Sequence, residues 1–415
     1  MREKNKNIKF RDIRIGFIYS FIIDARNKFE EKSVREKLKA SGILSNDEKN
    51  LLDFKTCQRF LFSEEYCKEV IRFELSPIEI KLKTNTNITI EGTPILSLFK
   101  SISAGSLLIN LKLENVYLDD VIFLEQCFCG TFELEIIKSH FITNTLITPK
   151  KLVLDYISGI LELLEFQANN GYVIFGRSIE IRGMDDVTVD DPERIIQEYS
   201  KQIYGLLAAD EGWRHVPSGV AHDRLSTTWR TRDYISIVSF GGNILLIEPL
   251  NLKVKKGCAK QIYELRGRYN EKVDEYFSFD PLIAGLNHGP LIVLENTLLK
   301  KLLLEYTLHM ISRKEKCPDD LDECIELREN LIDTWHKISK ISITEIDILN
   351  QKVTESMGIP NLISDYLERI KEVESILLIR YTEKTNKSII RLTYITIVVG
   401  IIAVLVSIIV GLLSI

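Results

Sequence analysis

Apolar positions along the chain fall into three regimes: short runs up to about Pro290, helical spacing beyond about Glu295, and a closing stretch without charge. The first regime reads as mixed α/β. Residues 70–82 (VIRFELSPIEIKL) and 107–113 (LLINLKL) predict strands, as do 121–129 and 131–136, split by Gly130. The run 15–23 (IGFIYSFII) predicts a buried strand or helix. Residues 151–166 carry apolar side chains at helical spacing, and 172–182 (YVIFGRSIEIR) predicts a strand. Asp191 and Pro192 are an N-cap and first-turn proline for a helix to about Ala209. Residues 234–240 and 244–248, joined by Gly241-Gly242-Asn243, predict a β-hairpin.

The second regime predicts long helices at 298–314 and 319–357, the latter with Leu331, Trp335, Ile338, Ile341 and Leu349 as its apolar face. Gly358-Ile359-Pro360 stops that helix, and Asn361 caps the next one, which turns Leu362, Tyr366, Ile370, Val373 and Leu377 toward a neighbour. No breaker separates Leu362 from the closing apolar run. A continuous helix of ~50 residues, roughly 80 Å long, is expected.

From Leu392 to Ile415 there is no charged residue. A bilayer core of ~30 Å needs about 20 helical residues, so this run is long enough to cross once and too short to cross twice. Lys384, Lys387 and Arg391 lie just before it, which by the positive-inside rule places the bulk of the chain in the cytoplasm. With the chain closing at Ile415, the expectation is a single-pass, tail-anchored protein of the cell membrane. Within the span Thr393, Thr396, Gly400, Ala403, Ser407, Gly411 and Ser414 recur at three- and four-residue steps, forming a slim face on one side of the helix. Slim faces let helices approach closely in lipid, so this is a candidate helix-packing or pore-lining face in a homo-oligomer.

Composition narrows the rest. The chain has 415 residues, 27% charged and 45% hydrophobic, with a formal net charge of −5, so it offers no broad attraction to nucleic acid. Seven scattered cysteines without a CxxC pair read as buried reduced thiols on the cytosolic side, and in a strand Cys127 and Cys129 would share one face. The 15–23 run is too short and wrongly flanked for a signal peptide or span. The expected organisation is an α/β region over 1–150, a second over 151–290, a long-helix stalk over 291–391 and a transmembrane helix over 392–415.

Two polar clusters are candidates for chemistry. Arg214, His215, His222, Arg224, Arg230 and Arg232, with Trp213 and Trp229, occupy residues 210–233 and offer cations and rings to an anionic ligand. Their alternative is a loop whose charges pair internally and whose tryptophans plug the core. Asp185, Asp186, Asp190 and Asp191 form an acidic patch able to hold a divalent cation, or simply a solvated turn. No phosphate loop, dinucleotide glycine motif, GxSxG or kinase set is present, so no catalytic residue and no cofactor is assigned.

The order of parts resembles the CorA-type magnesium transporters: an α/β cytosolic domain, two long helices, and a stalk helix running into a pore-lining span. The helices at 298–314 and 319–357 and the stalk from Leu362 occupy those places, and Arg391–Thr396 (RLTYIT) resembles the family's approach to its first span. The resemblance implies a pore assembled from five copies and Mg²⁺ as the ion carried, with the slim face continuing upstream through Ser375, Thr382 and Asn386. The family's Gly-Met-Asn signature and second span have no counterpart in this sequence, and no selectivity residue is carried over. The leading expectation is therefore a membrane-anchored, cytosol-facing protein that self-associates through stalk and span in a structural, sensory or interaction role. A CorA-like cation channel is second, and a membrane-tethered enzyme working at the 210–233 loop is third.

Overall fold

The computed structural model describes residues 7–24, 30–46, 51, 54–55, 58–59, 62–82, 88–100, 102–130, 132–141, 143–185, 192–225, 228–231, 235–240, 243–247, 281–312, 324–325, 329 and 344–413. The chain divides into two compact units, Met1–Tyr306 with Thr334–Pro360, and Thr307–Asp333 with Asn361–Ile415.

The first unit is built on one 11-stranded sheet. Its spine is β1 (Lys9–Asp24), lying antiparallel between β5 (Ala104–Tyr117) and β8 (Gln167–Met184). The sheet therefore runs without interruption from the expected first α/β region into the second. On one side of the spine follow β4 (Ile88–Phe99), β3 (Ile78–Leu82), β6 (Leu134–Lys138) and β7 (Thr143–Ile147). On the other follow β11 (Asn243–Ile247), β10 (Ile235–Phe240) and β9 (Thr228–Thr231), with β11 parallel to β8. The hairpin expected around 241–243 is the β10–β11 pair.

The single strand expected over 70–82 is two strands, β2 (Val70–Glu74) and β3, both pairing with β4. Pro77 lacks a ladder donor, and at the break the Leu75 N–H bonds to Pro94 O at 2.9 Å. Residues 121–129 are not a strand: Leu118–Cys129 is a helix. Its buried Leu118, Val121, Ile122, Glu125 and Phe128 follow helical spacing, the Asp120 carboxylate accepts from the Tyr117 N–H at 3.4 Å, and Gly130 ends it at φ 94°. Cys127 and Cys129 are thus not on one face, and Cys127 is buried while Cys129 is exposed. The helix expected from Asp191 to about Ala209 is two helices, Pro192–Glu198 and Ser200–Ala208, parted at Tyr199, where ψ is 27°.

Numbering helices in chain order, α1 is Glu31–Ala40, α2 Glu64–Glu69, α3 Leu118–Cys129, α4 Pro149–Leu163, α5 Pro192–Glu198, α6 Ser200–Ala208, α7 Ser218–Arg224, α8 Pro281–Ser312, α9 Thr344–Ser356 and α10 Ile359–Leu413. One sheet face carries Ile13, Ile15, Phe17, Tyr19 and Phe21 of β1 and packs into one core with α1, α3, α4, α6 and Trp213. The opposite face meets α8. A Cβ on Gly16 would collide with Leu291, and one on Gly176 would lie 2.8 Å from Leu298 Cδ1, so glycines on β1 and β8 let the helix sit close to the sheet. Every residue of α8 from Gly289 to Lys300 is buried. Helical structure starts earlier than about Glu295, and Pro290 lies inside the helix, where it removes one intrahelical N–H donor.

In the second unit α10 is one unbroken helix of 55 residues. Gly358, at φ 70°, ends α9, and α10 starts at Ile359 rather than at an Asn361 cap. Tyr366, Ile370, Val373 and Leu377 are buried at helical spacing. Most of the helix expected over 319–357 lies outside the described residues.

Candidate functional site

Of the described residues only α10 is a helix long and apolar enough to cross a membrane, and none of its most apolar window is buried. Ile389, Ile390, Leu392, Ile395, Ile397, Val399 and Ile401 each expose more than half of their surface. The slim face lies along this segment. Thr382, Thr393 and Thr396 each turn the hydroxyl back and donate to the carbonyl four residues earlier, at 2.8 Å in all three cases. That bond internalises the hydroxyl proton, leaving a narrow methyl-edged ridge in place of a row of outward donors. A Cβ added at Gly400 meets nothing within 4 Å, and Ala403 is exposed. Ser407 and Gly411 fall within the helix but their side chains, like Ser414 altogether, lie outside the described residues.

In the described part of the cationic loop, Arg214 and Arg224 are engaged by partners within the fold. Trp213 is buried in the core, and its Nε1 donates to Asp119 Oδ1 at 3.3 Å. Arg214 pairs with the other oxygen of Asp119 at 2.5 Å and lies over the Trp213 ring. Arg224 donates to the Tyr204 hydroxyl at 2.5 Å. These two guanidiniums hold the loop to α3 and α6. His215 is exposed, while His222 borders a hollow of ≈ 270 Å³ with Glu198, Lys201 and Gln202. The Lys201 amine there donates to Arg214 O at 3.1 Å. The Arg230 side chain and all of Arg232 lie outside the described residues.

In the acidic patch Asp185 is an ion-pair partner, 2.5 Å from Arg11 Nε and 3.9 Å from Lys9 Nζ. Asp186, Asp190 and Asp191 lie outside the described residues. Among the described residues no group of three or more His, Cys, Asp or Glu is placed to hold a metal.

A polar strip missed in the sequence lies buried between α8 and the sheet. Register places Ser20, Ser106, Ser97 and Arg72 side by side across β1, β5, β4 and β2. Glu295 descends onto this row from α8, on the same helix face as Leu291 and Leu298. It makes a two-pronged pair with Arg72, Nη2 to Oε2 at 2.6 Å and Nη1 to Oε1 at 3.0 Å, and accepts from Ser106. The other Arg72 donors go to Gln58 at 2.7 Å, Ser97, and Tyr66 at 3.3 Å. Tyr66 in turn donates to Asn296 at 2.7 Å. Burial works against the guanidinium's charge, but Glu295 and Tyr66 outweigh it and hold the Arg72 pKa above its ordinary value. Signals for the strip were in the sequence: one arginine within VIRFE and one glutamate within LIVLEN, each a charge in an otherwise apolar run.

On the opposite sheet face Glu125 of α3 lies 3.3 Å from Arg177 Nε, fully buried, with neither carboxylate oxygen hydrogen-bonded. Desolvation pushes its pKa up to about 8 despite the arginine. Lys300 on α8 is pushed down to about 8 by burial, opposed by Asp347 of α9.

No family model, curated protein or solved structure matches the chain. The functional reading rests on the residues themselves.

Proposed function

We propose that this chain is a membrane-anchored protein whose α10 crosses a bilayer once and joins further copies through the face of Thr393, Thr396, Gly400 and Ala403. The bulk of the chain then faces the cytosol, on the side of Lys384, Lys387 and Arg391. Its role is structural, sensory or interactive. The observation that carries this reading is the exposure of the charge-free helix from Leu392 to Val404. In water each such aliphatic side chain forgoes ~1.5–3 kcal/mol of burial, which hydrocarbon supplies. The folded-back threonine hydroxyls support close helix contact, because they remove the polar cost of that face in lipid.

The test is carbonate extraction of membranes, followed by molar mass in mild detergent for the wild type and Gly400→Leu. The open space at Gly400 leaves the substituted helix intact, so the expected result is a membrane-retained oligomer that Gly400→Leu reduces to monomer. A wild type released by carbonate, or monomeric in detergent, refutes the reading. Mg²⁺ flux into liposomes, abolished by Gly400→Leu, would move the conclusion to a CorA-like channel.

A further inference from the structure

Arg380, Lys384, Lys387 and Arg391 follow one another at four-, three- and four-residue steps, so they form one stripe on α10. All four are exposed. Between Ser375 and Ile415 the one acidic residue is Glu383, about 70° round the helix from the stripe's centre. At 100° per residue the stripe lies roughly opposite the Thr393, Thr396, Gly400 and Ala403 face. When that face meets another helix, the basic stripe is left facing outward, directly beside the bilayer surface.

We infer that Lys384, Lys387 and Arg391 form a binding surface for anionic phospholipid headgroups, an inference that rests on the anchoring reading. The helix sets which residues take part. At 1.5 Å per residue the α-carbons of Arg391, Lys387, Lys384 and Arg380 lie about 1.5, 7.5, 12 and 18 Å from that of Leu392, where the charge-free run starts. Headgroups occupy roughly 5–7 Å beyond the hydrocarbon on each side. A lysine stem extends roughly 6 Å, so the Lys384 amine reaches the outer headgroup boundary and those of Lys387 and Arg391 lie well inside it. Arg380 stops short of that boundary by about one further turn, some 6 Å, where it makes no headgroup contact and its attraction is reduced by screening. Tyr394, also exposed, is placed to rest at the same interface.

The test uses the full chain in phosphatidylcholine vesicles containing a minority of phosphatidylserine, with spin-labelled forms of each lipid reporting which is immobilised at the protein. The expected result is about fivefold selectivity for the serine lipid over the choline lipid, collapsing at high salt. Lys384→Gln/Lys387→Gln/Arg391→Gln brings selectivity to near unity, whereas Arg380→Gln leaves most of it in place. Carbonate-resistant protein with no selectivity, or selectivity that survives the triple substitution, overturns the inference and leaves anchoring standing. Selectivity lost equally on Arg380→Gln overturns the depth assignment that defines the surface. Protein washed from the vesicles by carbonate overturns anchoring and this inference together.

Discussion

Glu295→Gln is the sharpest perturbation the fold offers. The substitution keeps the side chain's size while removing the charge that answers Arg72, whose side chain is 1% exposed. Two of the five Arg72 donor contacts, at 2.6 and 3.0 Å, end on this carboxylate, and Ser106 loses its charged acceptor. An exposed pair is worth ~0–1 kcal/mol, whereas stripping one partner from a buried pair costs about 3–5 kcal/mol, because the remaining charge stays desolvated. The larger figure applies here. Urea unfolding of the full chain in mild detergent, followed by tryptophan fluorescence with Trp213 as a buried reporter, reads it directly. With a slope near 2 kcal/mol per molar, the midpoint drops by about 1.5–2.5 M. Arg72→Met/Glu295→Met removes both charges and is expected to cost less than Glu295→Gln alone. A Glu295→Gln midpoint within about 0.5 M of wild type, or a double variant weaker than the single one, refutes the claim that this pair is a desolvated unit.

Two further outcomes follow from packing and charge. Gly205→Ala gains ~1 kcal/mol of helix propensity, but its Cβ would lie 2.5 Å from Trp213 Cβ and 2.7 Å from Cγ, close to the backbone where little can yield. Net destabilisation of about 1–3 kcal/mol is expected in the same urea assay, and a stabilised variant would contradict the packing. For Glu125 the folded pKa is raised from 4.5 to about 8, so the folded state holds its proton longer than the unfolded state does. The stability contributed by this group is complete below pH ~4.5 and is lost as pH rises to about 8, by up to ~1.4 kcal/mol per unit. Glu125→Gln should flatten that slope between pH 5 and 8, and an unchanged slope in denaturation series across this range assigns it elsewhere.

Legibility in the sequence followed chemistry that is local. The alternation in β8, the proline-opened α5 and the glycine turn between β10 and β11 announce themselves within a few residues. Residues 121–129 misled because VIFLEQCFC is a continuous apolar run, and only its flanks, Asp120 before and Gly130 after, identify a helix. The break at Pro77 needed the partner strand to be known, since proline interrupts a ladder only where a donor is demanded. Arg72 and Glu295 are 223 residues apart, and no window spans both. Arg214 and Arg224 read as part of a ligand loop because their partners, Asp119 and Tyr204, are distant in sequence or sit on another helix.

The placement of β1 governs how this protein is made. Among the described strands the spine comes first in chain order, so it leaves the ribosome ahead of its partners, which begin at Ala104 and Gln167. At ~5–20 residues per second, roughly 10–30 s pass between completion of β1 and emergence of the last residues of β8. Throughout that interval FIYSFII is an unpaired, aggregation-prone edge. A chaperone that holds the nascent β1 segment is therefore expected to govern yield, and deletions that trim β1 should abolish folding of the whole sheet rather than fray one border.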